Sequence, residues 1–521
     1  MSEKKPMADV NGQSSLHREA DCCQEECSTE TADVIVVGLG IGGLCASIRA
    51  AELGARVIAI DKLQYFDDPS MVYSELPGGP GSSTLKAGGA AYWRGKTKGK
   101  LDYDELLDLN SEGITFFEEK SWGRGNLEQY KEIVRVGEYV FDTWLIKHGN
   151  MAGGTVNEGT VAPDGRAYRA RWTQKWLVPA AEALGAKCLF KTKAMKLLMD
   201  RKSNRIAGVK VLTSEGLKDI KAQAVIIATG GFEGNEAMKL AYLEPRPAVA
   251  YLPITGGAWN TGDGLLMAQE VGAQLVNMSW HHTRMTEPNY YGAAPCGKTY
   301  KEAIKVNLLG ERVTDESEYI ASKGDIIIPQ PEQLLYVIID KKIYDERRLN
   351  YEGNVKTTQL ERPQHVVRRE KMIIEADTIE ELAKKCGINP ERLKKTVEAF
   401  NAAVKPDGTA PGIPHPKKKK AVKIDTPPFY ASPATVGINQ TLGGMKTNAK
   451  MQVYNNEGEI IPGLYATGAC ANTHYGKYYY GEYDELDVKC SYIHGSRTAG
   501  AMGFLAAEAA AAEAIELERA K

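Results

Sequence analysis

The amino-acid sequence predicts an α/β fold in which a Rossmann-type domain is interrupted by a second domain of α+β type. Three observations support this. An apolar run at residues 32–37, typical of a buried parallel strand, leads directly into a glycine-rich turn. From about residue 278 the chain has fewer glycines, several prolines and two clear helical patterns. After residue 427 the glycine-rich character returns, which indicates that the middle segment is an insertion.

The first unit of the chain is a strand, a glycine-rich turn, a helix and a second strand. Residues 38–43 read Gly-Leu-Gly-Ile-Gly-Gly, residues 44–53 have helical spacing, and residues 56–60 have the pattern of a strand. Gly38 permits a tight turn, Gly40 lets the backbone approach a pyrophosphate, and Gly43 lets the helix pack close to the strand. Gly42 belongs to the same turn. The unit predicts a dinucleotide site with its phosphates at the helix N-terminus.

The second strand ends in a pair of charged residues, Asp61 and Lys62. Asp61 lies 23 residues after Gly38. A carboxylate at this distance from the first glycine can accept hydrogen bonds from ribose hydroxyls. We expect both residues to contribute to nucleotide binding.

Two later segments favour FAD over NAD as the dinucleotide. Residues 224–227 form an apolar strand pattern that is followed by Ala228, Thr229 and Gly230, and residues 463–468 form a second small-residue turn that ends at Gly468. Small residues let the backbone lie against an extended dinucleotide. The sequence has no second complete Rossmann fingerprint, which argues against a tightly bound NAD(P)H.

These segments resemble a flavoprotein family that contains fumarate reductases, the flavoprotein subunit of succinate dehydrogenase and 3-ketosteroid dehydrogenases. Residues 230–235 (Gly-Gly-Phe-Glu-Gly-Asn) are similar to a turn of that family, and Asp263 lies in a Thr-Gly-Asp-Gly stretch that also matches. The Ser/Thr-rich loop that the family places beside the flavin ring corresponds to residues 82–89, including Ser82, Ser83, Gly88 and Gly89. The resemblance spans roughly residues 32–505.

The resemblance implies an FAD-binding domain that is split around a mobile cap domain, with the active site between them. We expect a mobile tail at residues 1–31, the first part of the FAD-binding domain at 32–278, the cap at 279–427, and the second part of the FAD-binding domain at 428–521. Residues 82–89 contain no histidine, the residue to which some members of the family attach FAD. We therefore predict non-covalent FAD.

The sequence departs from the fumarate reductases where they bind two carboxylates with histidines and arginines. Before Gly443 the family has a His-Thr-x-Gly-Gly arrangement, whereas residues 439–442 read Asn-Gln-Thr-Leu. Near the C-terminus the family has Asn-Arg-x-Gly-Gly, whereas this chain has Tyr478, Tyr479 and Tyr480 before a glycine. Where the reductases place a Thr-Arg-Asp, this chain has Tyr319.

This replacement of cations by tyrosines resembles the ketosteroid dehydrogenase branch. There, tyrosines act as the base and as the acid that polarises the carbonyl. Tyr319 matches the cap tyrosine but falls one residue early, and any of Tyr478–Tyr480 matches the C-terminal ones. Ordinary packing of each ring is the alternative. His282 and Arg284 lie where the family's cap begins near the substrate, and they either contact the substrate or are solvated surface groups.

Composition excludes several other classes of protein. The chain has 521 residues and a formal net charge of -2, which gives no sign of nucleic-acid binding. It has no apolar run near the ~20 residues that span a membrane and no secretory signal, so we expect a cytoplasmic protein without a transmembrane segment. Cysteine spacing predicts no metal site, haem or iron–sulfur cluster, so electrons must come from or go to an external partner. The basic run at 417–420 is typical of a solvated loop, with an anionic partner as the alternative.

The sequence therefore supports three functions. The first is an FAD-dependent oxidoreductase acting on a carbon–carbon bond next to a carbonyl of a neutral, apolar small molecule, with hydride transfer at flavin N5 and a tyrosine as acid or base. The second is a reductase of an unsaturated carboxylate that is similar to fumarate reductase. The third is a flavoprotein that has lost catalysis and binds a partner protein.

Overall fold

The computed structural model describes residues 30–63, 126–149, 171–243, 248–288, 301–318, 324–346, 372–471 and 495–520. Several predicted site residues lie outside these ranges, namely Ser82, Ser83, Gly88, Gly89, Tyr319, Tyr478, Tyr479 and Tyr480. Their predicted roles stay predictions.

The described part of the chain contains nine α-helices. They are α1 (Ile41–Glu52), α2 (Leu127–Tyr139), α3 (Leu145–Gly149), α4 (Arg171–Ala183), α5 (Glu236–Tyr242), α6 (Asp263–Glu270), α7 (Ile379–Cys386), α8 (Pro390–Ala403) and α9 (Gly495–Arg519). A π-helical stretch, Val140–Trp144, joins α2 to α3. The described part of the C-terminal helix starts at Gly495.

The described strands belong to a large sheet, a second sheet and one short strand pair. They are β1 (Glu30–Val37), β2 (Val57–Ile60), β3 (Lys187–Leu189), β4 (Lys193–Asp200), β5 (Arg205–Thr213), β6 (Gly216–Ile227), β7 (Leu275–Val276), β8 (His281–Thr286), β9 (Ile304–Asn307), β10 (Leu335–Asp340), β11 (Ile374–Ala376), β12 (Phe429–Thr441), β13 (Gly444–Met445), β14 (Gln452–Tyr454) and β15 (Ile460–Ala466).

The large sheet has eight strands, with the order β14-β15-β6-β1-β2-β3 and with β5 and β4 continuing from β6. Strands β15, β6, β1, β2 and β3 are parallel. The last residue of β1, Val37, pairs with Ile60 of β2 and with Ile227 of β6, and Ile227 pairs with Ala466 of β15. The turns that follow these four strands therefore lie along one edge of the sheet, which is where parallel α/β sheets bind ligands.

Strand β1 begins two residues inside the segment that we expected to be a tail. Glu30 and Thr31 pair with Ile220 and Lys221 of β6, and these backbone bonds extend the strand beyond its apolar core. The expectation that residues 30 and 31 belong to a mobile tail is wrong, because β6 is long enough to pair with them. The hydrophobic pattern starts only at Ala32, so it did not reveal this extension.

Helices α1 and α9 pack against each other on one face of the large sheet. A methyl group added at Gly503 would lie 2.0 Å from the carbonyl oxygen of Gly42. Ten of the twelve residues of α1 are buried, which explains why the helix lacks a polar face. This close contact holds the N-terminus of α1 in place at the edge of the sheet.

The second sheet is antiparallel, with the order β11-β12-β10-β9 and with β8 also pairing with β12. Strand β12 is 13 residues long, so its first half pairs with β10 and β11 and its second half with β8. The two helices predicted in the inserted segment are α7 and α8. They are preceded by Thr378 and Asn389, whose side chains cap their first turns. The domain boundaries remain a prediction, and the second sheet runs through β12 beyond residue 427.

The basic run at 417–420 is not wholly a solvated loop. Lys417 is 1% exposed, donates a 2.8 Å hydrogen bond to the Ala303 carbonyl, and lies 3.6 Å from the Glu316 carboxylate. Its ammonium also lies 5.3 Å from the centre of the Phe400 ring. The expectation was wrong for Lys417 because these partners compensate a buried charge. Its neighbour Lys418 is exposed.

No helix in the described part of the chain is long and apolar enough to cross a membrane. Within the same ranges, no cluster of three or more histidine, cysteine, aspartate or glutamate side chains could bind a metal ion.

Candidate functional site

The turn after β1 can be formed only by glycine at two positions. Gly38 has a φ of +102°, and a methyl group there would lie 2.5 Å from the Ala228 carbonyl oxygen. A methyl group at Gly43 would lie 1.8 Å from the carbonyl oxygen of Gly38. These contacts bring the start of α1 directly against β1 and β6, as the fingerprint predicted.

The N-terminus of α1 is suited to an anion. Gly40 precedes the helix in an extended conformation, and no side chain in the described structure caps the first turn. The N–H groups and the partial positive charge of a helix N-terminus favour phosphate oxygens. Gly42 lies in this first turn, and a methyl group there would come within 3.0 Å of Ala499 and of the Thr467 hydroxyl.

Asp61 lies at the end of β2, beside the glycine-rich turn. It is 9% exposed, and its carboxylate accepts 2.8 Å hydrogen bonds from the N–H groups of Leu39 and Leu63. Burial raises the pKa of Asp61, while these two bonds and the charge of Lys62 oppose the change. A carboxylate has about four acceptor positions, so two remain for the hydroxyls of a ribose.

The structure brings two predicted cofactor residues together as an ion pair. The Lys62 ammonium donates a 2.5 Å hydrogen bond to Asp263 and a 2.7 Å hydrogen bond to the Thr261 hydroxyl. Asp263 is the first residue of α6, where the helix dipole also favours a negative charge. Lys193 lies 3.8 Å from the other oxygen of the same carboxylate. The pair therefore ties the end of β2 to the start of α6.

The turns after β6 and β15 complete the edge of the sheet. Ala228 donates a 2.8 Å hydrogen bond to Val37, and Thr467 donates a 2.9 Å hydrogen bond to Ile227. Gly230 and Gly468 have φ angles of +75° and +74°, which favour glycine. Thr229 packs so closely on α6 that a methyl group at Gly264 would lie 2.3 Å from its hydroxyl.

Taken as one surface, these turns fit FAD. They offer glycine backbone, a helix N-terminus without a capping side chain, and a buried carboxylate with acceptor capacity, and all of them lie along one edge of a parallel sheet. A pyrophosphate needs the first two features and a ribose needs the third.

His282 and Arg284 lie on one face of β8, because alternate residues of a strand point the same way. Both are half-buried, whereas Thr283 and Met285 on the other face are fully buried. The side-chain amide of Asn439 on β12 lies 3.3 Å from Nδ1 of His282. The structure thus joins His282 to the residue directly before Gln440, which stands where the fumarate reductase pattern has a histidine.

The sequence did not identify a buried carboxylate between the two sheets. Glu233 is fully buried and accepts a 2.7 Å hydrogen bond from the Asn260 side chain, and Thr441 at the end of β12 lies beside it. The available signal was weak, since Glu233 occupies an unspecified position of the Gly-Gly-Phe-x-x-Asn turn. Its place two residues after Gly231, at the end of a small-residue turn, was the only indication of a role.

Comparison with known proteins agrees with this architecture. The family model described as an FAD binding domain matches residues 33–75 and 158–482. A probable fumarate reductase from Shewanella frigidimarina is 26% identical over 84% of this chain and 70% of its own length. Urocanate reductase from Eggerthella lenta is 28% identical over 91% of this chain and 74% of its own length.

A solved structure of a 3-ketosteroid dehydrogenase has the same fold. The 3-ketosteroid-Δ4-(5α)-dehydrogenase from Rhodococcus jostii RHA1, in complex with 4-androstene-3,17-dione, superposes with a TM-score of 0.67 at 23% identity, over 92% of this chain and 97% of that one. The resemblance, the α/β fold with its FAD-binding domain, and FAD as cofactor are confirmed. The chain belongs to the FAD binding domain family and is an FAD-dependent oxidoreductase of the type that acts on CH–CH bonds.

Proposed function

We propose that this enzyme acts on a carbon–carbon bond next to a carbonyl group of a neutral, apolar substrate. The main observation in support is the contact between Asn439 and His282, in which the amide nitrogen of Asn439 lies 3.3 Å from Nδ1 of His282. Gln440 lies near the end of β12 at the position where the resembling reductases have a histidine, and Asn439 directly precedes it. A neutral amide can bind a carbonyl oxygen, but it compensates the charge of a carboxylate poorly.

The contact with Asn439 bears on the role of each ring nitrogen of His282. The amide nitrogen of Asn439 donates a hydrogen bond, so we assign the acceptor role to Nδ1 of His282. In this assigned tautomer the proton is on Nε2, which would donate to a substrate oxygen. This arrangement would stabilise negative charge that develops on that oxygen.

FAD supplies the group that accepts or donates the hydride. The chain must supply the proton, and we assign this role to a tyrosine hydroxyl on the basis of the resemblance. Tyr319 is the candidate from the inserted segment, and one of Tyr478, Tyr479 and Tyr480 is the candidate near the C-terminus. A tyrosine can donate to a developing enolate oxygen or, as tyrosinate, accept a proton from carbon. An external donor or acceptor would exchange electrons with the flavin.

A second function has a specific observation in its favour. Arg284 shares a face of β8 with His282, and both side chains are half-buried. A guanidinium can bind both oxygens of a carboxylate at once. This pair favours an unsaturated carboxylate, and the relatives described above are named as a probable fumarate reductase and a urocanate reductase.

Substitution of Arg284 separates the two functions. Wild-type enzyme, Arg284→Met and an exposed control, Arg201→Met, would be compared on an unsaturated ketone and on the unsaturated acid with the same carbon skeleton. We expect the ketone to be the better substrate and Arg284→Met to change its kcat/KM less than about threefold. The proposal fails if the acid is preferred and Arg284→Met lowers its kcat/KM by about 10²-fold or more, the usual effect of removing a buried charged partner.

A further inference from the structure

Glu233 lies where the cofactor-binding turn meets the end of β12. It follows Gly230, Gly231 and Phe232 in the turn after β6, and its side chain is fully buried. The other partner at this junction is Thr441, the last residue of β12, which is also fully buried. The two residues are 208 positions apart in the chain, so their contact joins two distant segments.

Hydrogen bonds connect the two segments through these side chains. The Phe232 N–H donates a 2.8 Å hydrogen bond to the Thr441 hydroxyl, so the hydroxyl proton is directed to another acceptor. That acceptor is Glu233, whose Oε2 lies 3.4 Å from both the hydroxyl oxygen and the backbone nitrogen of Thr441. Its other oxygen accepts the 2.7 Å hydrogen bond from Asn260.

The packing around this carboxylate leaves no room for adjustment. A methyl group at Gly231 would lie 2.2 Å from the Thr441 hydroxyl and 2.7 Å from Glu233. A methyl group at Gly256 would lie 1.8 Å from the carbonyl oxygen of Asn439 and 3.3 Å from Glu233. Gly256 thus lets the backbone of Asn439 approach Glu233, and Gly231 lets Thr441 approach the same carboxylate.

Two charged groups close to this turn in the chain lie on α5, which follows it. Lys239 is 5% exposed, and burial lowers its pKa, while Glu236 and then Glu233 oppose that change. Glu236 is exposed at the start of the helix. Lys239 therefore provides charge compensation for Glu233, while Glu236 can interact with Lys239 without contacting β12.

We propose that Glu233 is a positioning residue, which fixes the end of β12 against the cofactor-binding turn and so sets the place of Asn439 and His282 relative to the flavin. Thr441 is two residues from Asn439, and Asn439 contacts His282. A shift of β12 by a fraction of an ångström would therefore move the substrate-binding groups and leave the nucleotide-binding turns in place. This inference rests on the proposed function of Asn439 and His282.

Three variants of the FAD-loaded enzyme and one control test the proposal. Glu233→Gln keeps the size of the side chain but puts a donor where Thr441 needs an acceptor. Thr441→Val removes the hydroxyl, and Thr441→Ser restores it. Glu236→Gln is the control, because it removes a carboxylate that faces Lys239 without touching β12. Each protein would be examined for FAD content and for amide hydrogen exchange of residues 435–445. Its kcat and KM would be measured on the better substrate of the ketone and acid compared under the proposed function.

We expect Glu233→Gln and Thr441→Val to bind a full complement of FAD and to exchange the amides of 435–445 about tenfold faster, as the loss of one buried hydrogen bond implies. They should lower kcat about tenfold while KM changes less than twofold, because misplacement acts on the reaction more than on binding. Thr441→Ser and Glu236→Gln should resemble wild-type enzyme.

The proposal is overturned if exchange and kcat per bound FAD are unchanged in Thr441→Val and Glu233→Gln, or if Glu236→Gln has the same effect as Glu233→Gln. Should Glu233→Gln fail to fold, Thr441→Val alone decides between these results. Hydrogen exchange needs no substrate, so a failure of the proposed function would leave that result intact. Such a failure would appear as a preference for the acid in the Arg284→Met comparison.

Discussion

The side-chain amide of Asn439 lies 3.3 Å from Nδ1 of His282 and joins β12 to β8. The two residues are 157 positions apart, and the contact depends on antiparallel pairing of the two strands. It places two hydrogen-bonding groups side by side in the part of the chain that the resemblance assigns to the substrate. Substitution of either residue therefore tests whether the contact contributes to catalysis.

Removal of the Asn439 amide should impair catalysis in the same way as removal of the His282 ring. Asn439→Leu keeps the volume but frees Nδ1 of His282, so the ring loses its fixed tautomer. We expect Asn439→Leu and His282→Ala each to lower kcat/KM by about 10²-fold, the usual cost of losing a positioned donor. Steady-state kinetics of the single and double variants provide the measurement. Strictly additive effects would show that the two side chains act independently.

Loss of the Lys62 ammonium should weaken FAD binding. Lys62→Met leaves Asp263 without its closest cation, so the end of β2 and the start of α6 are no longer tied together. We expect the Kd for FAD to rise about tenfold, equivalent to about 1.4 kcal/mol. The assay starts from apoprotein made by acid release of FAD, which the absence of histidine from residues 82–89 predicts to be possible. Lys193→Met, which removes the more distant cation, should have a smaller effect, and equal effects would contradict the assignment.

The buried Lys305 should make the protein more stable as the pH rises from 8 to 10. Burial lowers the pKa of Lys305 from an ordinary value of 10.5 to about 8, while the charge of Glu316 opposes this change. Between these values the native state binds fewer protons than the unfolded state, so the free energy of unfolding increases with pH. The gain attributable to this group is about 2 kcal/mol.

The measurement is denaturant unfolding at several pH values for wild-type protein, Lys305→Met and the exposed control Lys418→Met. The increase in the free energy of unfolding between pH 8 and 10 should be about 2 kcal/mol smaller in Lys305→Met than in wild-type protein. In Lys418→Met it should equal the wild-type increase. If wild-type protein and Lys305→Met show parallel pH profiles, Lys305 has an ordinary pKa in the native state.

Replacement of the candidate tyrosines by phenylalanine should slow the reaction and leave FAD binding intact. Each substitution keeps the aromatic ring and removes only one hydroxyl. We expect Tyr319→Phe and one of Tyr478→Phe, Tyr479→Phe and Tyr480→Phe to lower the single-turnover rate by about 10²–10³-fold. The rate is followed through the flavin absorbance. Wild-type rates in all four variants would show that tyrosine is neither the acid nor the base.

The sequence was sufficient to predict FAD as the cofactor because the signals for a dinucleotide are local. Gly38, Gly43 and Asp61 lie within one strand–turn–helix–strand unit, where spacing alone determines which side chains meet. The structure excludes methyl groups at both glycines, and the role of the three residues in nucleotide binding stays a prediction. The ion pair between Lys62 and Asp263 could not be predicted, since 201 residues separate the two partners.

The other findings depend on tertiary contacts that leave little trace in the sequence. Lys417 sits within a run of lysines that is typical of solvent, and its burial depends on Ala303 and Glu316 more than a hundred residues away. Glu233 is one variable position in a glycine-rich turn, and its partner Thr441 is supplied by the far end of β12. Hydrophobic periodicity identifies elements, but it does not indicate which polar groups meet between them.

The most direct test of the account is the reoxidation of reduced, enzyme-bound FAD under anaerobic conditions, followed in a stopped-flow spectrometer. A neutral enone and fumarate would be mixed separately with the same reduced enzyme. Burying a poorly paired carboxylate costs on the order of several kcal/mol, so the account predicts reoxidation by the enone at least about 10²-fold faster than by fumarate. Rapid reoxidation by fumarate, with no reaction of the enone, would contradict it.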